Sequence, residues 1–121
     1  MAEAAQYFLE DLAVGMTASY DRVVTEDMIE QFADVSGDFN PLHLDEDYAK
    51  GTMFKGRIAH GILSAGFISK IFGTMMPGKG SIYISQTLRF LAPVRIGDTV
   101  TATVEVVEIN AEKKRVSFKS R

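Results

Sequence analysis

The chain of 121 residues contains no cysteine. That removes disulfides, thiolate nucleophiles and cysteine-based zinc sites, and it suits a reducing compartment, here the cytoplasm. A basic block is also missing: 13 Lys and Arg stand against 16 Asp and Glu, for a net charge of −3. Nucleic-acid binding needs a positive surface that displaces counterions, so none is expected. The amino-terminal MAEAAQYFLEDL is acidic and lacks a basic segment followed by an apolar run, so it does not read as a secretory signal. The longest apolar stretch, near residues 58–77, is broken by Gly, Ser and Lys70, and no membrane span is expected. Repeats, low-complexity tracts and linkers are absent too. With 46 % hydrophobic residues, the chain is expected to form a single globular domain over 1–121.

Several chemical motifs are approached and missed. Gly73-TMMP-Gly78-Lys79 has the spacing of a phosphate-binding loop, but Gly80 stands where Ser or Thr is needed. It also follows a helix and enters a strand, the reverse of the required order. DEDYAKG (45–51) has the acid density of a calcium loop, yet its glycine is one place late and Gly56 occupies the position of the bidentate Glu. No Gly-x-Ser-x-Gly elbow occurs. Ser64 and Ser69 fall within an apolar helix, where serine most often bonds back to its own backbone. Lys113-Lys114-Arg115 reads as a solvated hairpin tip.

The pattern of elements is clearer. MTASYDRVV (16–24) reads as a short strand. Thr25 before Glu26 and Asp27 suits a helix start, Met28, Ile29, Phe32 and Ala33 follow at helical spacing, and Gly37 is placed to stop it. A second short helix is expected from Asp45 to Gly51. HGILSAGFISKIFGTMM (60–76) is apolar nearly all round, which predicts a buried helix ended by PGKG (77–80). From Ser81 the period becomes two: Ile82, Ile84, Leu88 and Phe90 alternate with Tyr83, Ser85, Thr87 and Arg89, which predicts a strand. GDTVTATVEVVEI (97–109) alternates cleanly, and Asn110-Ala111-Glu112 is expected to turn into KKRVSFKSR. Such segregation points to an α+β fold, an antiparallel sheet wrapped on one helix.

Within this frame SGDFNPLH (36–43) holds an acid, an amide, a proline and a histidine. The Asn40-Pro41 step favours a turn rather than a continuing helix, and a turn can aim Asp38 and His43 at one point. The local alternative is that Asp and Asn only bond the loop and that His43 is a satisfied histidine. Asp38, His43 and His60 match the spacing of no common metal site, and none is expected. Two features favour chemistry. An acid beside an imidazole defines its tautomer and protonation state, as general acid–base work near neutral pH requires. Gly61 opens the apolar helix, where a backbone N–H without a partner lies at the positive end of the dipole and has no side chain in the way. An acid, a base and an oxyanion donor together imply chemistry beside a carbonyl.

GDFNPLHLDEDYA followed by GRIAHGILSAGFIS resembles the hydratase-2 motif of the MaoC-like family, the (R)-specific enoyl-CoA hydratases. The downstream PGKGSIYISQTLRFLAPVRIGDTV is similar to the same family's strand region, so the likeness spans about residues 10–121. It implies the hotdog fold, a curved antiparallel sheet around a long central helix (60–76), with residues 25–59 as a helical overhang. It implies that Asp38 and His43 are the catalytic pair, holding a water for syn addition across the double bond of a trans-2-enoyl thioester to give the (R)-3-hydroxyacyl product. Asn40 would shape the loop or orient the water. Gly61 would bind the thioester oxygen, His60 would fix that donor, and Ser69 and Phe72 would line the acyl pocket. Coenzyme A would be a substrate handle with no cofactor required, and a homodimer is implied. Family members continue with one further strand beyond the position of Arg121, so the resemblance implies a domain whose C-terminal strand is missing or truncated, with a gap or re-pairing in the sheet if nothing follows. A hotdog acyl-CoA thioesterase and a non-catalytic acyl-thioester binding subunit are the alternatives.

Overall fold

The computed structural model describes residues 4–121, so the first three residues of the amino-terminal stretch read above lie outside it. After a short 3₁₀ turn, Leu9–Asp11, the elements run β1 (Thr17–Val23), α1 (Glu26–Ser36), α2 (Pro41–Leu44), α3 (Glu46–Lys50), α4 (Gly61–Thr74), β2 (Thr99–Asn110) and β3 (Arg115–Ser120). They fall into two compact units. One holds the chain up to Asp21 with Gly66–Gln86 and Thr101–Arg121, and the other holds Arg22–Ala65 with Thr87–Val100.

In the first unit the strand order is β1-β2-β3, and β2 pairs antiparallel with β3. Asn110 shapes the connection by accepting the Lys113 N–H on its side-chain oxygen at 3.0 Å. The register slips between Val106 and Glu108, where Val107 is the extra residue of a β-bulge. Alternation along β2 buries Ala102, Val104 and Val106, as a period of two on a half-covered sheet requires. The later turns of α4 lie against this sheet: Phe67 meets Tyr20 edge-on at 6.1 Å, and Phe72 packs on Phe118 at 4.8 Å. Gly78 sits in the loop after α4 with φ +83°, and a Cβ there would run into the Ala5 carbonyl. Only glycine fits that turn.

The second unit is built on local caps. Thr25 accepts the Met28 N–H at the start of α1, and Gly37, at φ +79°, closes its end with an N–H to the Ala33 carbonyl. Asp45 caps α3 through Tyr48 N–H at 3.1 Å. Ile29 and Ala33 on the inner face of α1 are buried, with Val24, Ala49, Ile58 and Ala59.

Three expectations need correction. Only Phe67, Ile68 and Ile71 of α4 are buried, and Ile62 is 53 % exposed, so the helix is not enclosed all round. Ser81–Phe90 forms no strand. Its alternation suits a sheet face, but strand geometry needs a neighbour to exchange backbone hydrogen bonds, and among the described residues none pairs with it. Ile82 and Ile84 are consequently exposed. Finally, His43 lies not in an irregular turn but on the short helical turn α2, because Asn40-Pro41 is both a cap and a helix-compatible first residue.

Candidate active site

The left-handed turn at Gly37 takes the chain out of α1 and into a loop held by its own side chains. Asp38 donates its N–H to Ser36 Oγ at 3.1 Å and accepts the Asn40 N–H on Oδ1 at 3.2 Å. Asn40 Oδ1 in turn accepts the Leu42 N–H at 3.0 Å, which starts α2 with Pro41 at its first position. His43 is therefore placed by a relay of short-range bonds that begins at the end of α1. The Asn40 side chain thus fixes the start of α2.

The two imidazoles are each fixed by a main-chain carbonyl. His43 Nδ1 lies 2.8 Å from the Ile58 oxygen, and since a carbonyl only accepts, Nδ1 carries the proton. Nε2 of a neutral His43 then presents a lone pair. His60, 3 % exposed, donates Nε2–H to the Asp38 carbonyl at 3.0 Å, and its Nδ1 is buried without a protein partner. The rings stack at 3.9 Å between centroids, inclined by 31°, and Phe32 backs His60 at 4.7 Å. His60 thus acts on the Asp38 loop and on the His43 ring face.

One carboxylate or imidazole donor atom from each of Asp38, His43 and His60 lies within 4.8 Å of the other two. A water bonded at about 2.8 Å to two atoms 4.8 Å apart subtends roughly 118°, an ordinary water angle. The same three groups are the only described cluster able to offer three metal ligands. On each ring one nitrogen is already committed to a main-chain carbonyl, His43 Nδ1 to Ile58 and His60 Nε2 to Asp38, which leaves one nitrogen per ring for other partners. Asp38 is exposed and His43 half-buried, which leaves the pair open to a substrate.

Gly61 is the first residue of α4, and among the described residues its N–H meets no acceptor. An added Cβ at Gly61 would lie 2.9–3.1 Å from the Phe90 ring. Phe90 therefore borders the donor, a neighbour that its place in an alternating stretch did not reveal. Arg57 was also missed, although it lies inside the quoted GRIAHG: its Nε donates to the His43 carbonyl at 2.7 Å. Ser69 and Phe72 stand on the later turns of α4. Ser69 is exposed, while Phe72 sits between Tyr83, at 5.2 Å, and Phe118. Within the second unit, Phe32 also lines a recess with Met28, Val35 and Leu63.

Comparison with known proteins decides the family. The pattern described as "MaoC like domain" matches residues 11–121. This chain belongs to the MaoC-like family. It is 54 % identical over 114 residues to an (R)-specific enoyl-CoA hydratase of Rhodospirillum rubrum, covering 94 % of this chain and 79 % of that one. It is 47 % identical to a 3-hydroxybutyryl-CoA dehydratase of Methylorubrum extorquens, covering 95 % and 73 %. Among solved structures, the (R)-hydratase of A. caviae involved in PHA biosynthesis matches with a TM-score of 0.90 at 42 % identity, over 93 % of this chain and 85 % of that one. The MaoC-like chain is thus an α+β protein of the hotdog class, with an antiparallel sheet and helices and no closed barrel among the described residues. None of its described helices is long and apolar enough to cross a membrane.

Proposed function

We propose that this chain is an (R)-specific enoyl-CoA hydratase, adding water to trans-2-enoyl-CoA to give (R)-3-hydroxyacyl-CoA, and catalysing the reverse dehydration. The observation that carries the reading is the convergence of the Asp38 carboxylate on a His43 ring whose Nδ1 proton is already committed to Ile58. The two groups hold one water between them. As its oxygen bonds to Cβ, the pair takes one of its protons, and a proton is delivered to Cα on the same face. The charge that leaves the double bond builds on the thioester oxygen, where the Gly61 N–H receives it. One such fixed donor is typically worth about 3 kcal/mol, and positioned acid–base assistance adds roughly 10²–10⁴ in rate. Each step is a proton transfer or an addition, so the reaction as written calls on no metal or redox cofactor.

The same reading assigns Ser69 and Phe72 to the acyl pocket and a homodimer to the working enzyme. The exposure of Ile62, Ile82, Ile84 and Leu91 is consistent with surfaces that a second copy covers. A cytoplasmic setting, with the product feeding polyhydroxyalkanoate synthesis or fatty-acid oxidation, completes it. The test is the enone absorbance of crotonyl-CoA. The wild-type protein is expected to bleach it and to yield the (R) alcohol, and Asp38→Asn to slow the bleaching by about 10²–10⁴-fold. Release of free thiol instead would redirect the assignment to a thioesterase, and calorimetric binding without turnover to a carrier subunit.

A further inference from the structure

Arg57 is charged, yet its side chain is only 10 % exposed. A guanidinium taken out of water is costly unless its donors are satisfied, and the partners it has reveal its use. Nε donates to the main-chain carbonyl of His43 at 2.7 Å, and one terminal nitrogen donates to Glu26 Oε1 at 2.8 Å. Glu26 is the first residue of α1, and its carboxylate is 58 % exposed. The buried end of this arrangement is therefore the backbone of the histidine.

The next residue completes the connection. Ile58 supplies the carbonyl that accepts His43 Nδ1–H, and its own N–H reaches the Leu42 carbonyl at 3.4 Å. Residues 57 and 58 thus hold α2 by three bonds, one of which decides which ring nitrogen carries the proton. Of these, the Arg57 bond is short and charge-assisted, and the Leu42 bond is long. We infer that Arg57 is a positioning residue for His43: by clamping its carbonyl it holds α2 against Ile58 and so keeps the imidazole in the Nδ1–H tautomer, with Nε2 directed to the reacting water. It touches no substrate itself. Lysine can replace it only in part, because its ammonium keeps the charge but lacks the rigid fork that holds a backbone carbonyl and a carboxylate in fixed directions.

The kinetic arm of the test rests on the hydratase reading; the spectroscopic arm does not. Nitrogen-15 spectra of the His43 ring are expected to show one tautomer in the wild type, a mixture in Arg57→Gln, and an intermediate state in Arg57→Lys. With crotonyl-CoA, Arg57→Gln is expected to lower kcat by about 100-fold, the scale of a displacement near 1 Å, with KM changed less than threefold. Arg57→Lys is expected to recover part of that loss. A residue that merely stabilised the fold would lower the melting temperature but leave the ring proton and the kcat of the folded enzyme in place. Should Arg57→Gln fail to fold, Arg57→Lys decides alone. A single wild-type tautomer in the folded variant overturns the inference, whether or not the protein proves to be a hydratase.

Discussion

Replacing Gly61 by alanine separates the roles of donor and scaffold. The N–H is retained, and the position is the first of α4, where alanine is the better helix former by about 1 kcal/mol or less. Against this, the new methyl would meet Phe90 Cε1 at 2.9 Å and Cδ1 at 3.0 Å, so the ring must yield by roughly 0.5 Å to reach ordinary contact. Phe90 is 58 % exposed and can swing outward, so the stability change is expected to stay within about 1 kcal/mol either way. The methyl and the displaced ring would instead crowd the space before the amide. If that amide receives the thioester oxygen, loss of the contact costs roughly 10²–10³ in kcat. Steady-state hydration of crotonyl-CoA, with a melting curve as control, gives both numbers. The double variant Gly61→Ala/Phe90→Ala removes the collision and is expected to regain at least tenfold over the single variant, a coupling near 1.4 kcal/mol. Full activity in Gly61→Ala would remove the amide from the mechanism; a double variant no better than the single would remove Phe90 from the argument.

Asp38→Asn and His43→Gln are each expected to lower kcat by about 10²–10⁴, and the double variant by far less than the product, because in the proposed reaction the two act on one water; stopped assays with matched folded protein check this. Asn40→Ala removes the bond to Leu42 N–H and is expected to cost about 1 kcal/mol in urea unfolding, with a kcat loss larger than that stability loss explains, because α2 carries His43. Ile71→Ala, at a fully buried position of α4, is expected to cost about 2–5 kcal/mol by the same measurement while leaving the kcat of the folded fraction near wild type.

What the sequence disclosed was largely what short-range physics decides. Thr25, Gly37 and Asp45 act at the helix ends where their side chains or backbone freedom suggest, and the β2–β3 hairpin follows from clean alternation around Asn110. The approach of Asp38 to His43 was legible because they lie only five positions apart, across one Asn-Pro step. Ser81–Phe90 was not, since alternation records which face a segment prefers and not whether a partner strand lies beside it. The exposure of α4 escaped for a related reason: a helix apolar on every side announces a need for cover without saying what supplies it. Arg57 and Phe90 were hidden by base expectation, because an arginine in a loop is ordinarily solvated and a phenylalanine ordinarily packs. Their roles depend on contacts across 14 and 29 residues, as Arg57 to His43 and Phe90 to Gly61.

Both imidazoles are oriented by peptide oxygens rather than by acidic side chains. Every amino acid brings such an oxygen, so positions 38 and 58 keep supplying these anchors whatever residue mutation installs there, provided the chain path survives. Ile58 can drift to valine or leucine at a price in packing alone. The geometry that aims the His43 ring is consequently inherited with the backbone, and it is sheltered from most single-codon changes at the positions that provide it.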